Sequence, residues 1–218
     1  NEVRPPIMDL KSLLNEPQCE AVLHNSGPLL VLAGAGSGKT RVITYKIAWL
    51  VEQLGLAPWQ ILAVTFTNKA AGEMRERVSH LLGPEAKDVW LGTFHSIGLR
   101  LLRRHHDLVG RTRDFVVYDQ DDREKLLKRV LHKMNVSKDT LSPKQVGYYI
   151  DEQKHLLRGP KDAQLPSTTW IDRLCIRAYE GYEHAKTRAD AFDFSDLITQ
   201  VVELLEKQPP VLSEWQYR

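Results

Sequence analysis

Leu29-Leu30-Val31-Leu32-Ala33-Gly34-Ala35-Gly36-Ser37-Gly38-Lys39-Thr40 is the stretch from which the rest of the chain is read. The apolar residues 29–32 have the length of a short buried strand, a glycine-rich turn follows, and Gly-Lys-Thr opens a helix. Gly34, Gly36 and Gly38 permit positive φ and let the backbone approach a ligand with no Cβ in the way. Successive N–H groups in such a turn form an anion nest, to which the following helix adds the positive end of its dipole. Lys39 then reaches the outer phosphates of a nucleoside triphosphate, and the Thr40 hydroxyl ligates Mg²⁺. Val42, Ile43, Ile47, Leu50, Val51 and Leu54 recur at helical spacing, which completes a strand–loop–helix frame. Ala33 stands where the G-x-x-x-x-G-K-T pattern has its first glycine. A ligand-free glycine turn is the plain alternative, and the agreement of motif and frame argues against it.

Two further units repeat the theme. Ile61-Leu62-Ala63-Val64-Thr65-Phe66 is a continuous apolar run of strand length, as in a central parallel strand. Thr67-Asn68-Lys69 leads into a helix with Ala70, Met74, Val78 and Leu82 on one face. Val89-Trp90-Leu91-Gly92-Thr93 is then followed by Phe94-His95-Ser96 and a helix carrying Ile97, Leu101 and Leu102. Strands alternating with helices predict a parallel α/β sheet whose ligands gather at the carboxyl ends of the strands. The loops at 34–39, 66–69 and 93–96 are expected to line one edge.

Upstream, residues 1–13 read as a lead-in broken by Pro5-Pro6, and Asn15, Pro17 and Gln18 give a helix start with a capping box. Downstream of residue 111 the pattern turns helical. Phe115-Val116-Val117-Tyr118 has strand character, Asp119 or Asp121 caps a helix through Met134, and Ser142-Pro143 opens another. Ser167 starts a long helix through Ala185, after a loop bounded by Gly159-Pro160 and Leu165-Pro166. A last helix runs from Ser195 to about Glu206 and ends at Pro209-Pro210. The expected division is a motor-like α/β part at 1–111, an inserted helical subdomain at 112–189, and a return to the first part at 190–218.

Composition narrows the class. The 218 residues are 42% hydrophobic and 27% charged, as in a globular chain and unlike a disordered one. Cys19 and Cys175 fit no metal or redox spacing, consistent with reduced thiols in a cytoplasmic protein. No apolar run approaches the roughly 20 residues of a membrane span, and the N-terminus lacks a signal-peptide core. Net charge is +2, but residues 96–190 carry +5 against −3 for the remainder. A basic middle suits a phosphate backbone, and it equally suits solvated helix faces. His105-His106 show no ligand spacing for a metal.

Five segments in series resemble the N-terminal part of superfamily 1 DNA helicases of the UvrD/Rep/PcrA type. They are Leu14-Asn15-Glu16-Pro17-Gln18, Ala33 to Arg41, Thr65-Phe66-Thr67-Asn68-Lys69-Ala70-Ala71, Gly92-Thr93-Phe94-His95-Ser96 and Asp193-Phe194-Ser195-Asp196-Leu197. Their order and spacing match, including a helical insertion before the last, and the likeness covers nearly everything from residue 14. That family tolerates alanine at the position of Ala33. The resemblance implies a RecA-like P-loop domain that binds ATP and Mg²⁺. Gln18 would read the adenine edge, since a side-chain amide both donates and accepts. Ala33, Gly34, Ala35, Gly36, Ser37, Gly38, Lys39 and Thr40 would cradle the phosphates, with Lys39 and Thr40 catalytic and Thr40 on the metal. Arg41 would assist near the nucleotide or lie exposed on its helix. Thr65, Phe66, Thr67 and Asn68, with Thr93, Phe94, His95 and Ser96, would line a single-stranded DNA path. Without the resemblance, Phe66 reads as a core residue at a strand end and His95 as a satisfied loop histidine.

The family's next motif, an apolar strand ending in Asp-Glu-x-x-Asp, has no counterpart in the 218 residues. That motif supplies the catalytic glutamate, and a second motor domain follows it in the family. The expectation is a piece of a 3′–5′ DNA helicase of repair or replication that engages single strands and duplex junctions. It keeps the nucleotide cradle and part of the DNA track, with little ATPase of its own. A helicase–nuclease recombination subunit and a P-loop module that senses nucleotide without remodelling DNA are the rival readings.

Overall fold

The apolar runs at 61–66 and 89–93 become Leu62–Thr65 (β1) and Trp90–Thr93 (β2) in the computed structural model, which describes residues 9–163 and 169–218. The two strands are parallel and in register, from Leu62 opposite Trp90 to Thr65 opposite Thr93. They belong to the first of two units, residues 1–97 with Arg218; residues 98–217 form the second.

In the first unit, Leu10–Leu13 (α1) and Glu16–Leu23 (α2) precede the glycine turn, and Lys39–Glu52 (α3) follows it. Leu10 and Leu14 are buried beside Cys19 and Val22; Pro5 and Pro6 lie outside the described residues. Asn68–Leu82 (α4) covers the strand pair, burying Ala71, Met74, Val78 and Leu82. Ile47 and Ala48 of α3 join Ile61, Ala63, Val89 and Leu91 in the same core. Arg75 clamps α4 to β2 by donating from Nη2 to the Leu91 carbonyl at 2.8 Å. Phe94–Arg104 (α5) starts directly after β2.

Residues 29–32 do not form the strand their composition predicts. They lie outside both ladders with no regular structure, and Leu30 and Leu32 are 81% and 87% exposed. An apolar run reports a demand for burial, whereas a strand exists only where a neighbour completes its hydrogen bonds. Among the described residues no such neighbour lies beside 29–32. Among the described residues the sheet of this unit is therefore two strands, smaller than the three-unit reading implied.

In the second unit, Val116–Tyr118 (β3) pairs in parallel with Ala191–Asp193 (β4), a strand that sequence reasoning did not find. Gln120–Lys133 (α6) is capped by Asp119, whose carboxylate accepts from the Asp122 amide. Pro143–His155 (α7) opens with a complete Ser142/Gln145 capping box. Trp170–Arg188 (α8) takes Thr169 as its cap; the start placed at Ser167 falls outside the described residues. Asp196–Lys207 (α9) ends before Pro209–Tyr217 (α10), so Pro209 and Pro210 stop one helix and open the next, the position proline favours. Leu126, Leu127, Val146, Ile150, Tyr179 and Tyr182 centre the core of α6, α7 and α8. Phe115 and Phe192 meet edge-on at 4.9 Å under the β3–β4 pair.

A buried ionic hub joins α7, α8, β4 and α9. Lys154 Nζ lies 2.8 Å from Asp193 Oδ2, 2.5 Å from Asp196 Oδ1 and 3.2 Å from Glu183 Oε1. Lys186 Nζ contacts the same three carboxylates, and the Tyr182 hydroxyl donates to Asp193 Oδ2 at 2.9 Å. Burial opposes the charge on Asp193, but Lys186 and Lys154 outweigh it and hold the carboxyl far below the usual range. Burial likewise opposes the charge on Lys154, and Asp196, Glu183 and Asp193 raise its pKa well above the ordinary lysine value. The three carboxylates could be drawn as a metal cage, but two ammonium groups already sit among them.

Cys19 and Cys175 are both free and buried. No helix of the described residues is long and apolar enough to cross a membrane.

Candidate nucleotide and nucleic-acid site

The glycine turn is built as a self-bonded loop against the head of α2. Gly36 (φ +74°) and Gly38 (φ +86°) take the left-handed backbone that the motif anticipated. Ser37 folds the turn back, its hydroxyl donating to the Gly34 carbonyl at 2.7 Å. Lys39 Nζ donates to the carbonyls of Gly34 (2.7 Å) and Ala33 (3.0 Å), so its ammonium lies over the loop it follows. Gly38 is the N-cap of α3 and offers no side chain, which leaves the first amides of this helix without a side-chain partner.

Gln18 carries two duties at once. Its Oε1 accepts from the Asn15 amide at 3.2 Å while the Asn15 side chain accepts from the Gln18 amide at 3.0 Å, a complete capping box. Its Nε2 donates to the Ser37 carbonyl at 3.0 Å. The capping role and the place beside the loop are therefore compatible. The fit is close, for a Cβ on Gly38 would stand 2.7 Å from Gln18 Nε2. Arg41 points elsewhere: its Nη2 donates to the Leu13 carbonyl at 2.7 Å and its guanidinium lies over the Tyr45 ring. Thr40 sits half-buried in the first turn of α3.

Lys46 went unnoticed in the sequence. Its Nζ donates to the Val22 carbonyl (2.8 Å), to Asn25 Oδ1 (2.9 Å) and to the His24 carbonyl, pinning α3 to the carboxyl end of α2. Burial lowers its pKa. The available signal was a lysine four residues after Val42 and four before Leu50, within an inward-facing row.

The parallel register brings a second group together. Because Thr65 pairs with Thr93, the residues that follow each strand emerge side by side. Phe66, 91% exposed, and Phe94 stand with ring centroids 5.9 Å apart at 59°. Their neighbours serve the backbone: Thr67 Oγ1 caps α4 by accepting from the Ala70 amide, and Thr93 Oγ1 accepts from the Ser96 amide. The Ser96 hydroxyl donates to the Thr93 carbonyl at 2.9 Å. Thr93 is buried, so of these side chains the exposed ones are Phe66, Thr67, Asn68 and Phe94. Burial lowers the pKa of His95, which favours a neutral imidazole. Such a pair of rings offers π faces on which bases can stack regardless of sequence.

Residues 14–218 match the UvrD/REP helicase N-terminal domain. The chain is 42% identical over 203 residues to a Staphylococcus epidermidis protein named ATP-dependent DNA helicase PcrA, and equally to one from Staphylococcus aureus. The match takes in 93% of this chain and 28% of either relative, so the chain spans little more than a quarter of their length. By this match the chain belongs to the UvrD/REP helicase N-terminal domain family.

Proposed function

We propose that this chain is the ATP-holding and strand-gripping part of an ATP-dependent 3′–5′ DNA helicase that works in repair or replication in the cytoplasm. The supporting observation is the convergence of Lys39 and Gln18 on one glycine loop at an uncapped helix N-terminus. Lys39 is held by neutral carbonyls alone, and a phosphate oxyanion makes the stronger, charge-assisted bond. A nucleotide therefore fits the cradle once Lys39 swings from Ala33 and Gly34. Gln18 would pair with an adenine edge by exchanging its bonds to Asn15 and Ser37, and the Thr40 hydroxyl would be the Mg²⁺ ligand. The bound Mg²⁺ would neutralise phosphate charge. Phe66 and Phe94, with Asn68 beside them, form the start of the DNA track. That exposed pair disfavours a module which only senses nucleotide.

In this reading residues 112–189 are an insertion in a RecA-like domain formed by 1–111 and 190–218. A second motor domain supplies the groups that stabilise the transferring phosphate. The 218 residues alone therefore bind ATP and turn it over negligibly. Titration of a fluorescent ATP analogue with Mg²⁺ tests this. Saturable binding, weakened about tenfold or more by Lys39→Ala, is expected without steady-state hydrolysis. Equal affinity in the variant, or turnover by the isolated chain, would overturn the reading.

A further inference from the structure

A groove of about 1060 Å³ runs between α6 and α8 in the second unit, and none of its lining residues belongs to a motif used above. On α8 its lining falls at Arg177, Glu180, Gly181, His184, Ala185, Thr187 and Arg188, with Ala189 at the C-cap. Of these, Arg177, Gly181, His184, Ala185 and Arg188 fall on one stripe of the helix, and eleven residues of rise give it a length of about 16 Å. On α6 the lining is Leu126, Lys128, Arg129, Val130, His132 and Lys133, with Met134 at the C-cap; Leu126, Arg129, Val130 and Lys133 recur at helical spacing. The two helices touch closely at one point, since a Cβ on Gly181 would stand 2.9 Å from Val130 Cγ1.

The floor and the rim differ in chemistry. Val130, Met134, Gly181, Ala185 and Ala189 make a shallow apolar floor, kept low by the small residues of α8. Arg129, Lys133, Arg177 and Arg188 stand exposed along the rim, and Glu180 is the acidic residue that lines it. Lys128 is already paired with Glu124 at 2.7 Å. Among the described residues, no carboxylate lies at ion-pair distance from Arg129, Lys133, Arg177 or Arg188.

We infer that this groove docks an acidic amphipathic helix of a partner protein. An apolar trough between cationic walls suits a helix with aliphatic anchors at i, i+3, i+4 and i+7 and Asp or Glu on its flanks. The length of the stripe accommodates about three turns. A nucleic-acid backbone fits the rim and wastes the floor, because a phosphodiester chain has no aliphatic surface to lay there. Base stacking would need a row of large aromatic rings, and the groove offers one phenol, Tyr118, with the imidazoles of His132 and His184. The assignment is independent of the nucleotide reading.

The probe is a fluorescein-labelled synthetic helix carrying leucines at heptad spacing and glutamates on both flanks, titrated with the 218-residue chain and read by anisotropy. Saturable binding is expected, weakened about tenfold or more by the double variant Arg177→Glu, Arg188→Glu. Both positions are exposed, so the thermal unfolding of the variant should match the unaltered chain. A scrambled peptide of equal composition should bind at least about tenfold more weakly. Equal binding of the scrambled peptide would show that charge alone is read, and would overturn the proposal. So would the absence of saturable binding, or displacement of the probe by duplex oligonucleotide at concentrations below those of unlabelled peptide.

Discussion

The loop around Lys39 and the hub around Lys154 and Lys186 both set lysine ammonium groups against oxygen, in opposite surroundings. Lys39 is exposed and meets two neutral carbonyls of its own loop. Lys186 is fully buried and meets three carboxylates from α8, β4 and α9. The first arrangement is exchangeable, because an arriving anion offers more than the carbonyls do. The second is fixed, because removing any charge strands its partners away from water. On the proposed reading Lys39 leaves its partners for an anion, whereas the buried lysines keep theirs.

The largest expected effect follows from that contrast. Lys186→Met leaves Asp193, Asp196 and Glu183 facing Lys154 alone, and should cost about 3–5 kcal/mol of stability in urea unfolding. Lys39→Met should change the same measurement by less than about 0.5 kcal/mol. Similar losses in the two variants would erase the distinction between fixed and exchangeable lysines.

Acid should separate the two regions next. The folded pKa of Asp193 is depressed, so its stabilisation is complete above the unfolded carboxylate value near about pH 4 and is lost as pH falls toward the folded value. Lys154 has a raised pKa, so its contribution is complete below an unfolded value near about pH 10 and fades only as pH rises through the folded one. Stability carried by the hub is therefore level across the neutral range and falls on the acid side. A series of melting temperatures against pH should show that shape, and Asp193→Asn should flatten its acid limb. An unchanged acid limb in the variant would place the acid sensitivity elsewhere.

Phe66 extends the comparison to function. At 91% exposure it contributes little to the core, so Phe66→Ala should leave unfolding unchanged. If Phe66 stacks on a base, its loss costs about 1–3 kcal/mol of single-strand affinity. Anisotropy with a labelled oligonucleotide measures this directly. A drop in stability with unaltered DNA affinity would return Phe66 to the role of a core residue.

What could be read in advance follows the same line between local and assembled features. The glycine loop, the capping box of α2, the Ser142 cap of α7 and the β1 and β2 runs are local, and their residues announce them. The strand expected at 29–32 failed because Leu29 to Leu32 state an apolar demand without naming the neighbour that would meet it. β4 was missed because Ala191-Phe192-Asp193 is three residues long and ends in a charge. That charge is tolerable only beside lysines some 39 and 7 residues away in sequence. Lys154 and Lys186 did leave a trace: each follows a buried row at four-residue spacing, 146 and 150 before one, 178 and 182 before the other. A lysine where the row demands an apolar residue signals a buried partner, though not its identity. Gln18 was readable as a cap, and the geometry adds its bond to the Ser37 carbonyl.

That joint role supports the smallest prediction. Asn15→Ala removes the acceptor for the Gln18 amide and breaks one half of the capping box. The loss of a cap costs about 1 kcal/mol, within a range of about 0.5–2, and should appear as a modest shift in the unfolding midpoint. Gln18 keeps its bond to the Ser37 carbonyl, but the turn that holds its side chain in place is loosened. Nucleotide affinity should therefore fall by less than about tenfold, well short of the Lys39→Ala effect, and adenine-over-guanine preference should narrow along with it. If stability falls while that preference stays intact, Gln18 is held by the loop and needs no help from its cap. If both fall together, the head of α2 is part of the nucleotide site, and the capping box belongs to function as much as to folding.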